Sequence, residues 1–375
     1  MGIGIPLPLS VPDRTLAGAV LTIDLGALRR NFRLLRDEAA GARCAAVLKA
    51  DAYGLGADRV APVLAQEGCE TFFVAHVSEG IALRHVLGDK ADIFVLNGLP
   101  PGAEGACAAA GLIPVLNSEP QLAAWRDAAS ALARTLPAAL QVDSGMARMG
   151  MSPAEVERIT ADPGAFVGLD VRLVMSHLAC ADEPEKAANH AQLHSFLQLA
   201  ASLPQAARSL ANSSGIFLGS DFHFDLVRPG AALYGINPEP GRPNPMAPVV
   251  RLEAKVVQTR SVEAGEGIGY GHVARPERPL QLATISLGYA DGWPRHAQAA
   301  AWYEGVRLPF IGRVSMDSII LDISSLPPGA LAPGALVELI GPHQSVDEVA
   351  AVASTIGYEI LTSLGPRFHR IYVDA

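Results

Sequence analysis

Eight short apolar runs, separated by stretches with helical spacing, fill residues 19–235 and leave few folds open to the chain. "RCAAVLKA", "TFFVAHV", "DIFVLNG", "LIPVLNS", "ALQVDSG", "DVRLVMSH", "RSLANSS" and "FDLVRPG" read as strands. Between most of them lie helix patterns such as "ADRVAPVLAQEG", "SEGIALRHVL", "EPQLAAWRDAASAL" and "EKAANHAQLHSFLQLAASL". Near-continuously apolar strands joined by helices predict a parallel sheet covered by helices. Eight such units over roughly 220 residues fit a (β/α)8 TIM-type barrel better than a doubly wound sheet.

After a Pro- and Gly-rich connector, "NPEPGRPNPMAP", the pattern changes. "VVRLEAKVVQTRSV", "LQLATISLGYADG", "VRLPFIGRVSMDSIILDIS" and "ALVELIG" read as antiparallel strands, and only "SVDEVAAVASTIG" reads as a helix. The expected class is therefore α/β plus β. A barrel spans residues 16–238, and a mostly β domain spans 239–375 and takes in the N-terminal segment 1–15.

The 375 residues suffice for two domains with a large core, and only 18% of them are charged. A net charge of -9 with no basic run argues against a nucleic-acid partner. No charge-free run of about 18 apolar residues occurs, so no membrane span is expected. The opening "MGIGIPLPLSVPDR" lacks the basic-then-apolar order of a signal peptide. Cys44, Cys69, Cys107 and Cys180 are irregularly spaced, without a metal-ligand pattern. Together these point to a cytoplasmic protein with reduced thiols and no metal site.

Catalytic groups of a barrel gather at the C-terminal ends of its strands. Lys49 sits there on the first strand, in "AAVLKADAYGLGA". An ammonium closing a buried strand must escape to water or take part in chemistry, and desolvation makes an amine nucleophilic. For a lone lysine, snorkelling to solvent is the commoner reading. A second signal is the pair of small-residue loops after the seventh and eighth strands. "LANSSG" holds Asn212, Ser213 and Ser214, and "VRPGAALYG" holds Gly230 and Ala231. Loops at those two strands are where barrels bind phosphate, although ordinary turns would look similar. A lysine and a phosphate cup in one barrel suggest pyridoxal phosphate.

The motif "VLKADAYGLG" resembles the pyridoxal-lysine signature of alanine racemases. "TIDLGALRRNF", "VDSGMARMG", "SHLACADE", "ANSSG", "VRPGAALYG", "GIGYG", "SLGYADGWPR", "GRVSMDSI" and "YEILTSLGPR" follow in that family's order, over nearly the whole chain. The resemblance implies a pyridoxal-5'-phosphate-dependent isomerase that interconverts L- and D-alanine with two bases. Lys49 would hold the cofactor covalently and act as one base. Tyr53, Ser213 and the backbone of Gly230 and Ala231 would hold its phosphate, with Asn212 beside them. Arg228 would face the pyridine nitrogen and leave it unprotonated, since guanidinium keeps its proton near neutral pH. His177 would pack beside the ring. Read alone, Arg228 is a surface ion pair and His177 a satisfied core residue.

The second base implied by the family is Tyr270, in "EGIGYGH". A free tyrosine titrates near 10, and the network Tyr270–His177–Arg228 would supply the lowering that a base needs. "GEGIGYG" also looks like a nucleotide loop, but no helix follows it. In the family this tyrosine serves the other subunit, which implies a homodimer with shared active sites. Met316 and Asp317 match partner-chain residues near the substrate carboxylate. Tyr289, Arg295 and Arg313 match the entry corridor, where cationic walls favour small zwitterions. Each alone reads equally as a packing or surface residue.

Two positions depart from the family pattern. Arg148, in "VDSGMAR", matches the arginine that contacts cofactor and substrate carboxylate, and many relatives hold it with a carbamylated lysine where this chain has Gln141. The Gln141 amide oxygen or a chloride is the expected substitute. Gly365 stands where several relatives carry a phosphate-binding gate tyrosine, which implies a roomier pocket. The function expected first is alanine racemisation, supplying D-alanine for peptidoglycan or feeding alanine breakdown. A broad-specificity racemase is the second expectation. A non-catalytic pyridoxal-phosphate homeostasis protein is the third, and such proteins usually lack the β domain. Decarboxylases of related architecture need substrate motifs that the chain does not carry.

Overall fold

The computed structural model describes residues 13–39 and 41–375. They form two compact units, one of residues 28–247 and one of residues up to 27 together with 248–375.

The first unit is the barrel. Seven parallel strands pair in chain order: Ala46–Val47, Thr71–Val74, Asp92–Val95, Ile113–Leu116, Leu136–Gln141, Leu169–Met175 and Ala207–Ser209. The eighth, Leu226–Val227, pairs with Arg43–Cys44 just ahead of Ala46. On its other side Asp225 donates to the Arg208 carbonyl at 3.1 Å, and Arg228 N–H donates to the Ala211 carbonyl at 2.9 Å. The eighth strand thus bridges the seventh and the first, and the ring closes. The first strand changes partner at Ala45, which donates to Val227 O at 3.0 Å before Leu48 donates to Phe73 O at 2.7 Å.

Burial explains the apolar runs. Every residue of Thr71–Val74 and Ile113–Leu116 is buried, as strands with a helical layer outside and a packed centre inside must be. Phe73 stacks on Phe94 with centroids 4.8 Å apart, filling the centre between neighbouring strands. The outer helices include Ala57–Gln66, Val77–Leu87, Glu119–Ala131, Pro153–Ala161 and Ala187–Ala201. Ser118 and Ser152 cap two of them, each followed by a proline that needs no hydrogen bond in the first turn.

The second unit is built on one long strand, Val250–Val262, whose inward and outward residues alternate along most of its length. It pairs antiparallel with Ala19–Asp24, Leu280–Ile285 and Leu336–Ile340. Leu280–Ile285 pairs on with Ile319–Asp322, and Ala300–Tyr303 forms a hairpin with Val306–Pro309. Glu304 and Gly305 turn that hairpin with φ of 48° and 81°, the left-handed pair that tight two-residue turns require.

Two features differ from the sequence expectation. Ala19–Asp24, expected with the barrel from residue 16, pairs with Val250–Val262 and His369–Val373. One apolar strand carries no mark of which sheet it will join. A second helix, Gly357–Ser363, follows Val346–Val352. It is short and lacks the Ser–Glu capping box that marks Val346–Val352, so it has no signature to read. The N-terminal segment 1–15, expected with the β domain, lies mostly outside the described residues, which begin at Asp13. Among the described residues no helix is long and apolar enough to cross a membrane.

Candidate active site

Lys49 leaves the mouth of the first barrel strand on an uncommon piece of backbone. Ala50, Asp51, Ala52 and Tyr53 all lie in the left-handed helical region, with φ between 54° and 57°. For residues with a Cβ this costs on the order of 1–2 kcal/mol each. Side chains hold the turn. Asp51 Oδ1 accepts the Ala57 N–H at 2.7 Å, and a Glu79 oxygen accepts the Ala50 N–H at 2.7 Å. Tyr53 is buried, its ring centroid 4.7 Å from that of Tyr234. Tyr234 in turn donates its hydroxyl to Val47 O at 3.0 Å.

The turn delivers the Tyr53 hydroxyl to the loop after the eighth strand. A Cβ placed on Gly230 would lie 2.4 Å from Tyr53 Oη, so only glycine fits there. Ser213, buried after the seventh strand, accepts the N–H groups of Gly230 at 2.9 Å and Ala232 at 3.2 Å. Asn212 Oδ1 accepts the Gly215 N–H at 2.9 Å and so shapes the loop. Two small-residue loops, a serine hydroxyl, a tyrosine hydroxyl and backbone donors thus converge beside the strand that carries Lys49.

Arg228 is buried deeper. It donates to Ser209 Oγ at 2.5 Å and to Ser176 O at 2.6 Å, and approaches His177 Nδ1 at 3.4 Å. Among the described residues no carboxylate pairs with it. Burial lowers its pKa to about 9, so it stays protonated at neutral pH. His177 is pushed down to about 3, first by burial and then by the charges of Arg228, Arg148 and Lys49. Its imidazole is therefore neutral and can accept from Arg228. The Lys49 amine is lowered from the ordinary lysine range by burial and by Arg148, against an opposing effect of Glu79.

Arg148 is exposed on the loop after the fifth strand. Asp143 Oδ1 organises that loop by accepting the N–H groups of Gly145, Met146 and Ala147 at 2.9, 2.9 and 3.1 Å. Burial works to raise the Asp143 pKa, but these three donors outweigh it and the carboxyl is lowered. Gln141 is buried and donates its amide to Met149 O at 3.3 Å. It braces the backbone next to Arg148 through its nitrogen; its amide oxygen or a chloride was the expected substitute beside the guanidinium.

The remaining sequence-derived residues belong to the β unit. Tyr270 is 68% exposed at the tip of a tight loop between Ile268 and Ala274. Gly269 and Gly271 flank it with φ of 66° and 70°, and Val262, Ile268, Leu280 and Leu282 pack beneath. A Cβ on Gly271 would lie 3.7 Å from Arg313 Nη1, which places that guanidinium beside the loop. Tyr289 and Met316 come together because Tyr289 and Ala290 donate to Ser315 O and Met316 O at 3.1 and 3.0 Å. Arg367 bridges Asp291 and Asp317, both at 2.7 Å. Arg295 is exposed. Gly365 N–H donates to Asp291 O at 3.0 Å, and a Cβ there would meet only ordinary contacts, nearest 3.5 Å. Nothing in the backbone demands glycine at 365.

The structure gathers Lys49, Tyr53, Arg148, His177, Asn212, Ser213, Arg228, Gly230 and Ala231 on the barrel unit, and Tyr270, Tyr289, Met316 and Asp317 on the β unit. Sequence reasoning missed Glu79, and also Ser176 and Ser209, which seat Arg228. Their residue types are too common to stand out, and only the third helical position of Glu79 hints at a structural duty.

A depressed amine next to an anion cradle at a barrel mouth is the equipment of enzymes that anchor a phosphorylated carbonyl compound. The alanine racemase N-terminal domain model matches residues 23–238, and the alanine racemase C-terminal domain model matches residues 249–372. The chain belongs to the alanine racemase family, and so to the isomerases. It is 65% identical to "Alanine racemase, catabolic" of Mesorhizobium japonicum, over 95% of this chain and 94% of that one. A second relative of that description, from Agrobacterium fabrum, is 54% identical over 96% and 93%. Alanine racemase of Brucella canis is 49% identical over 98% and 97%. The crystal structure of alanine racemase from Bartonella henselae, with covalently bound pyridoxal phosphate, superposes with a TM-score of 0.92 and 44% identity. It covers 95% of this chain and 100% of that one.

Proposed function

We propose that this protein interconverts L- and D-alanine with pyridoxal 5'-phosphate as its resident cofactor. The observation that carries the reading is the convergence of the lowered Lys49 amine with the Tyr53–Ser213–Gly230 cradle. The residues present fit the group. Gly230 lets the Tyr53 hydroxyl come up against the loop backbone, Ser213 and the loop N–H groups suit a phosphate, and buried Arg228 faces no carboxylate among the described residues. Lys49 would anchor the aldehyde, and Tyr53, Asn212, Ser213, Gly230 and Ala231 would bind the phosphate.

When bound, pyridoxal phosphate supplies the electron sink that lets the α-proton of the amino acid leave. The chain's own groups move that proton. Lys49 Nζ, unprotonated more readily than an ordinary lysine, takes or returns it on one face. On the opposite face the proposed group is the hydroxyl of Tyr270 of the partner subunit, which its exposed glycine-flanked loop presents outward. Arg228 keeps its own proton below about pH 9 and His177 is a neutral imidazole, so neither acts as an acid toward the cofactor ring near neutral pH. Arg148 would orient the substrate carboxylate, with Met316 and Asp317 of the partner subunit closing over it and Tyr289 lining the approach.

Proton NMR of L-alanine in D2O with the loaded protein tests this. Loss of the α-proton signal with D-alanine appearing is the expected result. Intact α-proton signal from protein that binds the cofactor would sink the alanine assignment and turn attention to larger amino acids.

Names of the relatives at 65% and 54% identity favour a role in alanine breakdown over supply of D-alanine to peptidoglycan. A deletion strain should then fail to grow on alanine as carbon source while needing no added D-alanine. The reverse pattern would assign the enzyme to wall synthesis.

A further inference from the structure

Glu79 has no part in the chemistry above, yet its carboxylate joins two loops at the barrel mouth. Oε2 accepts the N–H groups of Ala75 at 2.7 Å and His76 at 3.1 Å, the ordinary duty of an acidic residue at the third position of a helix. Oε1 points elsewhere and accepts the N–H of Ala50 at 2.7 Å, across 29 residues of sequence. Ala50 directly follows Lys49 and is the first of the four left-handed residues. A carboxylate that only capped its helix would leave Oε1 to water. Here that oxygen grips the backbone where the lysine segment enters its strained turn.

The charged and titratable groups acting on Lys49 or acted on by it are Arg148, Glu79 and His177. Of these Glu79 carries the negative charge. We propose that Glu79 is a positioning residue, which holds the left-handed turn so that the Lys49 amine stands at the barrel mouth. The inference rests on the reading of Lys49 as the cofactor-anchoring amine.

Two variants separate reach from charge. Glu79→Asp keeps the charge but is one methylene short of spanning both loops. Glu79→Gln keeps the reach but turns one acceptor into a donor. Two readouts apply: the affinity for pyridoxal phosphate, and the pH profile of acetic anhydride labelling at Lys49 in the cofactor-free full chain. Peptide mass spectrometry gives the second, with Lys90, Lys186 and Lys255 as internal references. Both variants are expected to lose about tenfold in affinity, the equivalent of one charge-assisted hydrogen bond, and to shift the Lys49 profile but not those of the references. Thermal midpoints should stay close to that of the unaltered protein. A folded Glu79→Asp protein with unchanged affinity and profile overturns the proposal, because charge alone would then be sufficient. The labelling comparison decides this even if the unaltered protein fails to capture pyridoxal phosphate, a failure that would count against the proposed function instead.

Discussion

Burial leaves His177 without its second proton, whereas Arg228 keeps its charge in spite of burial. Between about pH 3 and 6.5 an unfolded histidine holds a proton that the folded His177 does not. More protons on the unfolded chain means that stability falls on acidification through that window, by up to about 1.4 kcal/mol per pH unit. Above 6.5 the contribution is constant. Denaturant melts should therefore show His177→Gln losing less stability than the unaltered protein between neutral pH and about pH 4. Parallel losses would mean that the imidazole titrates normally in the fold. Neither this shift nor the seat of Arg228 was legible in the sequence. A histidine after an apolar run looks the same whether it is enclosed or exposed, and Ser176 and Ser209 look like any serines.

At the scale of elements, the barrel strands were legible because full burial leaves no room for polar alternation, as in Thr71–Val74. The turn after Lys49 was not. Ala50 and Ala52 carry no hint of positive φ, since the left-handed conformation is imposed from outside by Glu79, Asp51 and the packing of Tyr53. Gly230 is the opposite case: its place in a small-residue loop was visible, and the structure supplies the reason. Gly230→Ala would drive a Cβ into Tyr53 Oη, with Cζ at 3.2 Å and Val47 Cβ at 3.3 Å behind it. The variant is expected to lose about 1–3 kcal/mol of stability and most of its cofactor affinity, read by thermal melts and pyridoxal-phosphate titration. Adding Tyr53→Phe removes the hydroxyl and should return part of the stability. No recovery would show that the strand, not the phenol, limits the space.

For the whole molecule, the two units divide the proposed bases between them, Lys49 on one and Tyr270 on the other. If sites are shared between subunits, Lys49→Ala and Tyr270→Phe proteins, each inactive, should complement when unfolded and refolded together. Random pairing puts one intact site in half of the dimers, so about a quarter of full activity should return. No recovery from a mixture that forms hybrid dimers would place Tyr270 in its own subunit's site. The division was legible only through motif order, since composition shows a change of domain but not which loops serve one reaction.

The guanidinium of Arg228, closed in without a carboxylate among the described residues, has a consequence for the life of the polypeptide in the cell. A barrel assembled around a cation held only by neutral acceptors stands nearer to unfolding than its apolar packing alone would set. Any small molecule that binds only the folded form moves it away again, in proportion to the logarithm of its concentration. Newly made chains in a vitamin-starved cell would thus be the ones that proteases reach first, and loaded chains would persist. Nutritional status would then tune the abundance of the enzyme after translation, with no regulator other than the fold itself.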